Sequence, residues 1–563
     1  MRKSTAAALI AILLVAVLTR LLPLLKFTYW GSDVGEYHYL TTQLVDSGHV
    51  STGYFGWGIT YPYFPGMYFV TGGTSILGIH PDAALDLVLP ILNALSSLLV
   101  FLIAVRIFRD DRIGLLAAAV VAVIMPFVYA TSHPVPEAIG IVLLLACLTL
   151  LVGPSAGRMK NLFVLLPLSA AIVVTHHLST YFLVIMVLFA VVLRTLLHSR
   201  VRMRDIAVEL ILVAFTLGIA LPFWLVYATP FRVQVLGDLS AMPWWGPFAA
   251  LAGLVILWLG TVKLRQRSSL RFVPRYPDAR RAGVMFVVAL GFLFALTITF
   301  TFVNVVGTTI TLPIAATAFL APVFLLVAFA APGRKPLDFS RDGYQPTAWF
   351  IVVALSTVAG SVIGARVLIP YRHIDFLMIP LAVMIGAGIV FLYDRTLAGK
   401  GLGAIVSVLV AAVIVGNVAV AYPPPGIMAG YDEGTNSHSL VAMQWLGGHV
   451  TGLVAADHKA SMQAFGFGGV NATCDTAREA LLADNFTLAR NEMLKVDSPS
   501  GEKRVDYVLL NIDSRIGTQL FPYEPAFALS SAALAKYEAL PYQRFYDDGY
   551  TQVYYVNWGL PTG

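Results

Sequence analysis

Charge is scarce in this chain. Asp, Glu, Lys and Arg make up 12% of its 563 residues, about half the share of a soluble globular protein. With 58% hydrophobic residues and a mean hydropathy of +0.78, a soluble fold is excluded. Repeated apolar runs of about 20 residues predict a polytopic α-helical membrane protein. Cysteine is almost missing too. Cys147 lies in an apolar run and Cys474 in a polar region, so no disulfide between them is expected. Also lacking is a phosphate-binding glycine loop. Gly466, Gly468 and Gly469 stand in the wrong register for a dinucleotide fingerprint and read as a flexible loop. No small-residue cleavage site follows the first apolar run, so that run is expected to remain as a span despite Arg2 and Lys3 ahead of it.

What is present is a series of apolar segments. Thirteen spans are predicted, at 5–25, 84–105, 113–131, 136–153, 161–175, 178–196, 206–228, 246–262, 282–303, 310–331, 347–365, 374–393 and 402–421. Only His176-His177 argues for dividing 161–196 in two. Basic residues alternate between the loops. One set holds Arg2, Lys3, Arg106, Arg109, Arg112, the 194–204 cluster, the 263–281 cluster, Arg334 and Lys335. The opposite set holds only Arg20, Lys26, Arg232, Arg366 and Arg372. This bias puts the N-terminus in the cytoplasm and, with an odd span count, the C-terminal region outside. The net charge of +6 is therefore a topology and lipid-headgroup signal, with no nucleic-acid partner implied.

Two domains follow: a multi-pass membrane domain over 1–425, with a first outer loop at about 26–83, and an external α/β domain over 426–563. In the latter, 452–456 and 505–510 read as buried strands and 530–540 as a helix. Residues 544–556 read as a hairpin turning at Asp548-Gly549. Sequons at Asn471 and Asn485 suit an external face.

Histidines and carboxylates gather on one side, in the predicted outer loops. Charge beside a bilayer is expensive and calls for a reason. Asp33 and Glu36 follow the first span in the segment Gly31 to Tyr39, GSDVGEYHY. Their spacing fits a capping box, with Asp33 at the N-cap and Glu36 at N3. It equally fits a general base for an acceptor hydroxyl, or a metal ligand. The segment 60–67, TYPYFPGM, is expected to begin an interfacial helix running to Gly78. His133 and Glu137 flank the next outer turn, where a helix dipole favours Glu137, and His176 and His177 flank the one after. These four are candidate supports for Asp33, or ligands of a divalent cation such as magnesium or manganese. Arg366, Arg372 and His373 at the outer entry to the twelfth span suit a phosphate, with Asp375 placed to steady Arg372; snorkelling to lipid headgroups is the plainer alternative.

The layout resembles the GT-C superfamily of integral membrane glycosyltransferases. It is most similar to oligosaccharyltransferase catalytic subunits and their prokaryotic polyprenyl-phosphate-sugar-dependent relatives. The resemblance covers nearly the whole chain: thirteen spans, an acidic first outer loop (GSDVGEYHY), a Tyr-Pro…Pro-Gly segment, Glu137 in the place of a second acidic motif, and a C-terminal α/β domain. It implies that Asp33 is catalytic with Glu36 as a substitute, and that Arg372 contacts the donor phosphate. The family signature Trp-Trp-Asp-Tyr-Gly is absent, with 455–461 (AADHKAS) in its place, and the loop 304–309 is too short for a substrate clamp. The resemblance thus implies a hexosyl or pentosyl transferase at the cell membrane. It would move one sugar from a polyprenyl- or dolichyl-phosphate carrier to a lipid-linked glycan or surface protein. The alternatives are oligosaccharyltransferase-like glycan transfer to protein, a lipid or solute transporter or flippase, and a non-catalytic assembly subunit with the same fold.

Overall fold

The computed structural model describes residues 2–560 apart from 51, 55, 154, 198–202, 242–278, 306–307, 338–339, 341, 364–365, 397–402, 431, 495–503, 512–524 and 527. The expected span 246–262 lies outside the described residues. Helices dominate. Among the described residues six are long and apolar enough to cross a membrane: Lys3–Leu25, Pro81–Phe108, His177–Leu196, Ile206–Tyr227, Arg280–Thr299 and Pro370–Asp394. Pro136–Leu151, Met159–Thr175 and Ser407–Ala419 are apolar but shorter. The chain does break at His176, between helices Ser155–Thr175 and His177–Leu197.

Two expected spans depart from a single straight helix, both at proline. The region 113–131 bends by 60° between Asp111–Val123 and Met125–Ser132. Ile124 is extended there and Pro126 opens the second helix, since proline lacks the N–H that would continue the first. The region 310–331 is not one helix. It is divided into Ile314–Phe319, Ala321–Ala328 and Ala330–Leu337, with Pro322 opening the second piece.

The C-terminal region is an α/β unit. Its four-stranded sheet has the order β3-β4-β6-β5, from β3 (Leu453–Ala455), β4 (Val505–Asn511), β5 (Tyr542–Asp547) and β6 (Thr551–Val556). β3 and β4 are parallel and the other pairs antiparallel. The β5–β6 hairpin turns at Gly549, whose φ of +83° suits glycine. One sheet face packs Leu509 and Val553 on Met443 and Leu446; the other packs Val508, Leu510 and Tyr554 on Leu481, Ala489 and Ala533.

A strand pair and a helix crossing are among the contacts that join this unit to the loop at 26–83. β1 (Tyr29–Trp30) pairs antiparallel with β2 (Gly434–Thr435). The helix Val34–Ser47 also crosses the helix His458–Gly468 backbone to backbone. A Cβ on Gly35 would run into the Met462 carbonyl, and one on Gly466 into the Gly35 backbone. The stretch expected to be a flexible loop is therefore a helix end. Gly466 permits the close approach, and Gly469, at φ +65°, caps the helix.

Candidate active site

Asp33 precedes the Val34–Ser47 helix, but its side chain makes no capping hydrogen bond. The half-buried carboxylate accepts the Tyr61 hydroxyl at 2.9 Å on Oδ2 and the Ser32 hydroxyl at 3.0 Å on Oδ1. The capping box is thus not formed. Glu36 does not reach back to the N-cap either. It is fully buried and accepts the backbone N–H groups of Trp57 at 2.9 Å and Gly58 at 3.2 Å. Burial pushes its carboxyl up to about 7, against the pull of those two donors. With no exposed surface, Glu36 fastens the 56–58 segment over the helix and cannot meet a substrate where it stands.

Tyr61 comes from the Tyr-Pro-Tyr turn at the start of the segment expected to begin an interfacial helix. A helix does follow, Gly66–Ile76, with Phe69 and Ile76 exposed. The turn ahead of it faces inward, and the Tyr61 ring lies 5.1 Å from that of Tyr37.

His133 stacks on Trp30, with ring centroids 5.5 Å apart and planes at 23°, and meets Tyr129 edge-on. Its Nε2 is 3.9 Å from Glu433 Oε2. Burial lowers the His133 pKa more than the carboxylate raises it, so the ring is neutral at neutral pH. Glu433 was not foreseen. The only hint in sequence is the acidic pair Asp432-Glu433 soon after the last apolar run.

Arg372 forms an ion pair with Glu137 at 3.0 Å. Glu137 is buried at the first turn of Pro136–Leu151, so its partner is a guanidinium as well as a helix dipole. Asp375 is also buried, and the charges of Glu137 and Arg372 both act on it. The Arg372 side chain keeps 31% exposure, enough for an incoming anion to meet it. It is delivered by the short turn Pro370–Arg372, entered through Ile369 at φ +44°. A β-branched residue there costs on the order of 1–3 kcal/mol, and such strain gathers at functional sites.

Other candidates are placed differently. His373 is fully buried, with Nε2 2.9 Å from the Ser356 hydroxyl and its ring edge-on to Phe182, so it packs helices and cannot reach a phosphate. His176 is buried, and its Nδ1 accepts the Ser179 N–H at 3.3 Å, closing the next helix turn. His177 Nε2 lies 3.2 Å from the Val367 carbonyl. The Arg366 side chain lies outside the described residues. His133, Glu137, His176 and His177 thus each face a different partner. Among the described residues no group of three or more His, Cys, Asp or Glu is arranged to hold a metal ion.

Asp33 and Arg372 nevertheless share a neighbourhood. The charge of each acts on both Tyr37 and His133. Asp33 is a carboxylate held by two hydroxyls and Arg372 a partly exposed guanidinium, and both lie close enough to Tyr37 and His133 for their charges to act there. One can take a proton and the other can hold an anion.

No family model matches the chain, and no curated protein does either. Solved structures do. The oligosaccharyltransferase of Archaeoglobus fulgidus in its apo form matches with a TM-score of 0.58 and 12% identity, over 91% of this chain and 70% of that one. The same archaeal enzyme, AglB, in complex with an inhibitory peptide and a dolichol-phosphate gives a TM-score of 0.58 and 14% identity, with the same coverage. The mycobacterial arabinofuranosyltransferase AftD aligns over 99% of this chain and 40% of its own length at a TM-score of 0.46 and 12% identity. At these identities the likeness to the archaeal enzyme is one of fold. The chain shares the fold of the matched part of that archaeal enzyme.

Proposed function

We propose that the chain is a membrane glycosyltransferase. It moves one sugar from a polyprenyl-phosphate donor to an acceptor hydroxyl on a lipid-linked glycan or surface protein. The observation that carries this reading is a hydroxyl-held carboxylate, Asp33, and a partly exposed guanidinium, Arg372, whose charges both reach Tyr37 and His133, in a chain with the fold of the archaeal enzyme. The archaeal enzyme with that fold has been solved in complex with a dolichol-phosphate, a polyprenyl-phosphate-type lipid.

In this reading Asp33 takes the acceptor hydroxyl proton as that oxygen attacks the anomeric carbon. The bond from that carbon to the phosphate oxygen breaks, and its electron pair leaves with the polyprenyl phosphate. Arg372 stabilises the charge growing on the leaving phosphate. One displacement inverts the anomeric centre. Tyr61 and Ser32 aim the Asp33 carboxylate, and Glu137 aims Arg372. Thirteen spans, a cytoplasmic N-terminus and an external C-terminal unit belong to the same reading, supported by the alternation of basic loops.

The test is sugar transfer by the full chain in vesicles, offered a panel of polyprenyl-phosphate hexoses and pentoses. Wild type is expected to transfer one of them. Asp33→Asn is expected to lose about 10²- to 10⁴-fold in kcat, the usual contribution of a general base. Tyr61→Phe removes a hydrogen bond to a charged acceptor and is expected to lose about tenfold or more. If labelled lipid or solute crosses the bilayer while no donor is consumed, the chain is a transporter and the proposal fails.

A further inference from the structure

We infer that Glu433, from the C-terminal region, is a positioning residue for Asp33. This rests on the glycosyltransferase reading. The loop carrying Asp33 has little structure of its own between β1 and the following helix. It is held from 400 residues away. Glu433 Oε2 accepts the Ser32 N–H at 2.7 Å, and the Glu433 backbone carbonyl accepts the Gly31 N–H at 3.0 Å. Ser32 then gives its hydroxyl to Asp33 Oδ1 at 3.0 Å. One oxygen of Asp33 is thus set by the first outer loop through Tyr61. The other is set through Ser32, whose backbone is pinned by the C-terminal region.

Glu433 is itself firmly placed. Buried Lys459 donates from Nζ to the carbonyls on either side, Asp432 at 2.9 Å and Gly434 at 2.6 Å. Gln463 donates to the Thr435 hydroxyl at 2.7 Å, and Thr28 N–H to the Thr435 carbonyl at 2.8 Å. The second carboxylate oxygen of Glu433 faces the Tyr129 hydroxyl at 3.4 Å. Gly31 takes up the turn with φ +130°, a conformation that favours glycine. The side chain of Glu433 is only 16% exposed. A carboxylate so confined, with its best hydrogen bond to the residue before Asp33, acts on the site through that loop. On this reading the C-terminal region completes the active site.

The experiment compares Glu433→Ala, Glu433→Gln and Ser32→Ala in the full chain. Transfer is measured in vesicles with the donor that wild type uses, and hydrogen exchange is followed over residues 28–34. Glu433→Ala is expected to lower kcat about tenfold or more, with KM for the donor within about twofold. Glu433→Gln keeps an oxygen for the Ser32 N–H and is expected to stay within about threefold of wild type. Ser32→Ala, which leaves Glu433 and the backbone intact, is expected to lower kcat likewise. Exchange protection of 28–34 should fall in Glu433→Ala and persist in Glu433→Gln. If Glu433→Ala keeps wild-type kcat, or its whole loss lies in KM, the inference is overturned. If Glu433→Ala does not fold, a Ser32→Ala with wild-type kcat overturns it. Should wild type transfer no sugar at all, the glycosyltransferase reading falls on its own, and the exchange arm still decides whether Glu433 holds the loop: unchanged protection in Glu433→Ala overturns that.

Discussion

Replacing Arg372 by Met separates two roles that a simple loss of activity would confuse. Glu137 is 4% exposed in its side chain and Asp375 is buried as well. Taking away the guanidinium leaves two buried carboxylates without their cation. Breaking a buried ion pair from one side costs about 3–5 kcal/mol. Arg372→Met should therefore unfold earlier than wild type, followed by tryptophan fluorescence on heating in detergent. Adding Glu137→Gln removes one stranded charge and should recover a large part of that loss, because a neutral amide tolerates burial far better. Transfer activity should behave otherwise. A donor to the leaving phosphate is worth about 10²–10³ in kcat, and Glu137→Gln cannot restore it. Glu137→Gln alone keeps the guanidinium but loses its anchor, a charge-assisted bond of about 1.5–3 kcal/mol, and should reduce transfer less than Arg372→Met. Recovery of transfer in the double variant would refute the phosphate role and leave Arg372 as a structural ion-pair member. A wild-type unfolding midpoint in Arg372→Met would refute the claim that the guanidinium offsets the buried carboxylates.

Three further outcomes are expected. Glu36 holds its proton more strongly in the folded chain, where its pKa is about 7, than in the unfolded chain. Its contribution to stability is therefore fully present below the unfolded value of about 4.5 and lost as pH rises through about 7. Hydrogen exchange over 54–60, corrected for intrinsic rates, should show protection falling from pH 5 to 8 in wild type and not in Glu36→Gln; protection rising with pH would contradict this. Gly466→Ala forces a methyl into the Gly35 backbone. An overpacking cost of about 1–3 kcal/mol is expected, with faster proteolysis at the junction of the two helices; unchanged cleavage would show the contact to be dispensable. EDTA is expected to leave transfer within about twofold, because the candidate ligands face separate partners. A large loss restored by manganese would show that ligands assemble from the substrate or from residues outside those described.

Several features of the site were legible in the sequence for local reasons. Asp33 stands out because a carboxylate immediately beyond an apolar run needs an explanation. The break at His176 and the hairpin at Asp548-Gly549 follow from short-range signals, and the structure has both. Where local rules misled, tertiary partners had displaced them. The spacing of Asp33 and Glu36 predicts a capping box, but Tyr61 and the Trp57–Gly58 backbone hold those carboxylates instead. His373 has the composition of a phosphate site and yet turns into the helix packing beside Ser356.

The sequence by itself determined that this is a helical membrane protein with an α/β C-terminal region and an acidic first loop. Bilayer thickness, the cost of charge in lipid and the twofold period of strands act on residues close together in the chain. Only the tertiary structure decided which residues stand beside Asp33. Glu433 meets Ser32 across 401 positions, and Arg372 meets Glu137 across 235. Such pairings are chosen by how helices and strands pack, through close approaches such as Gly35 on Gly466, and no window of sequence contains both partners.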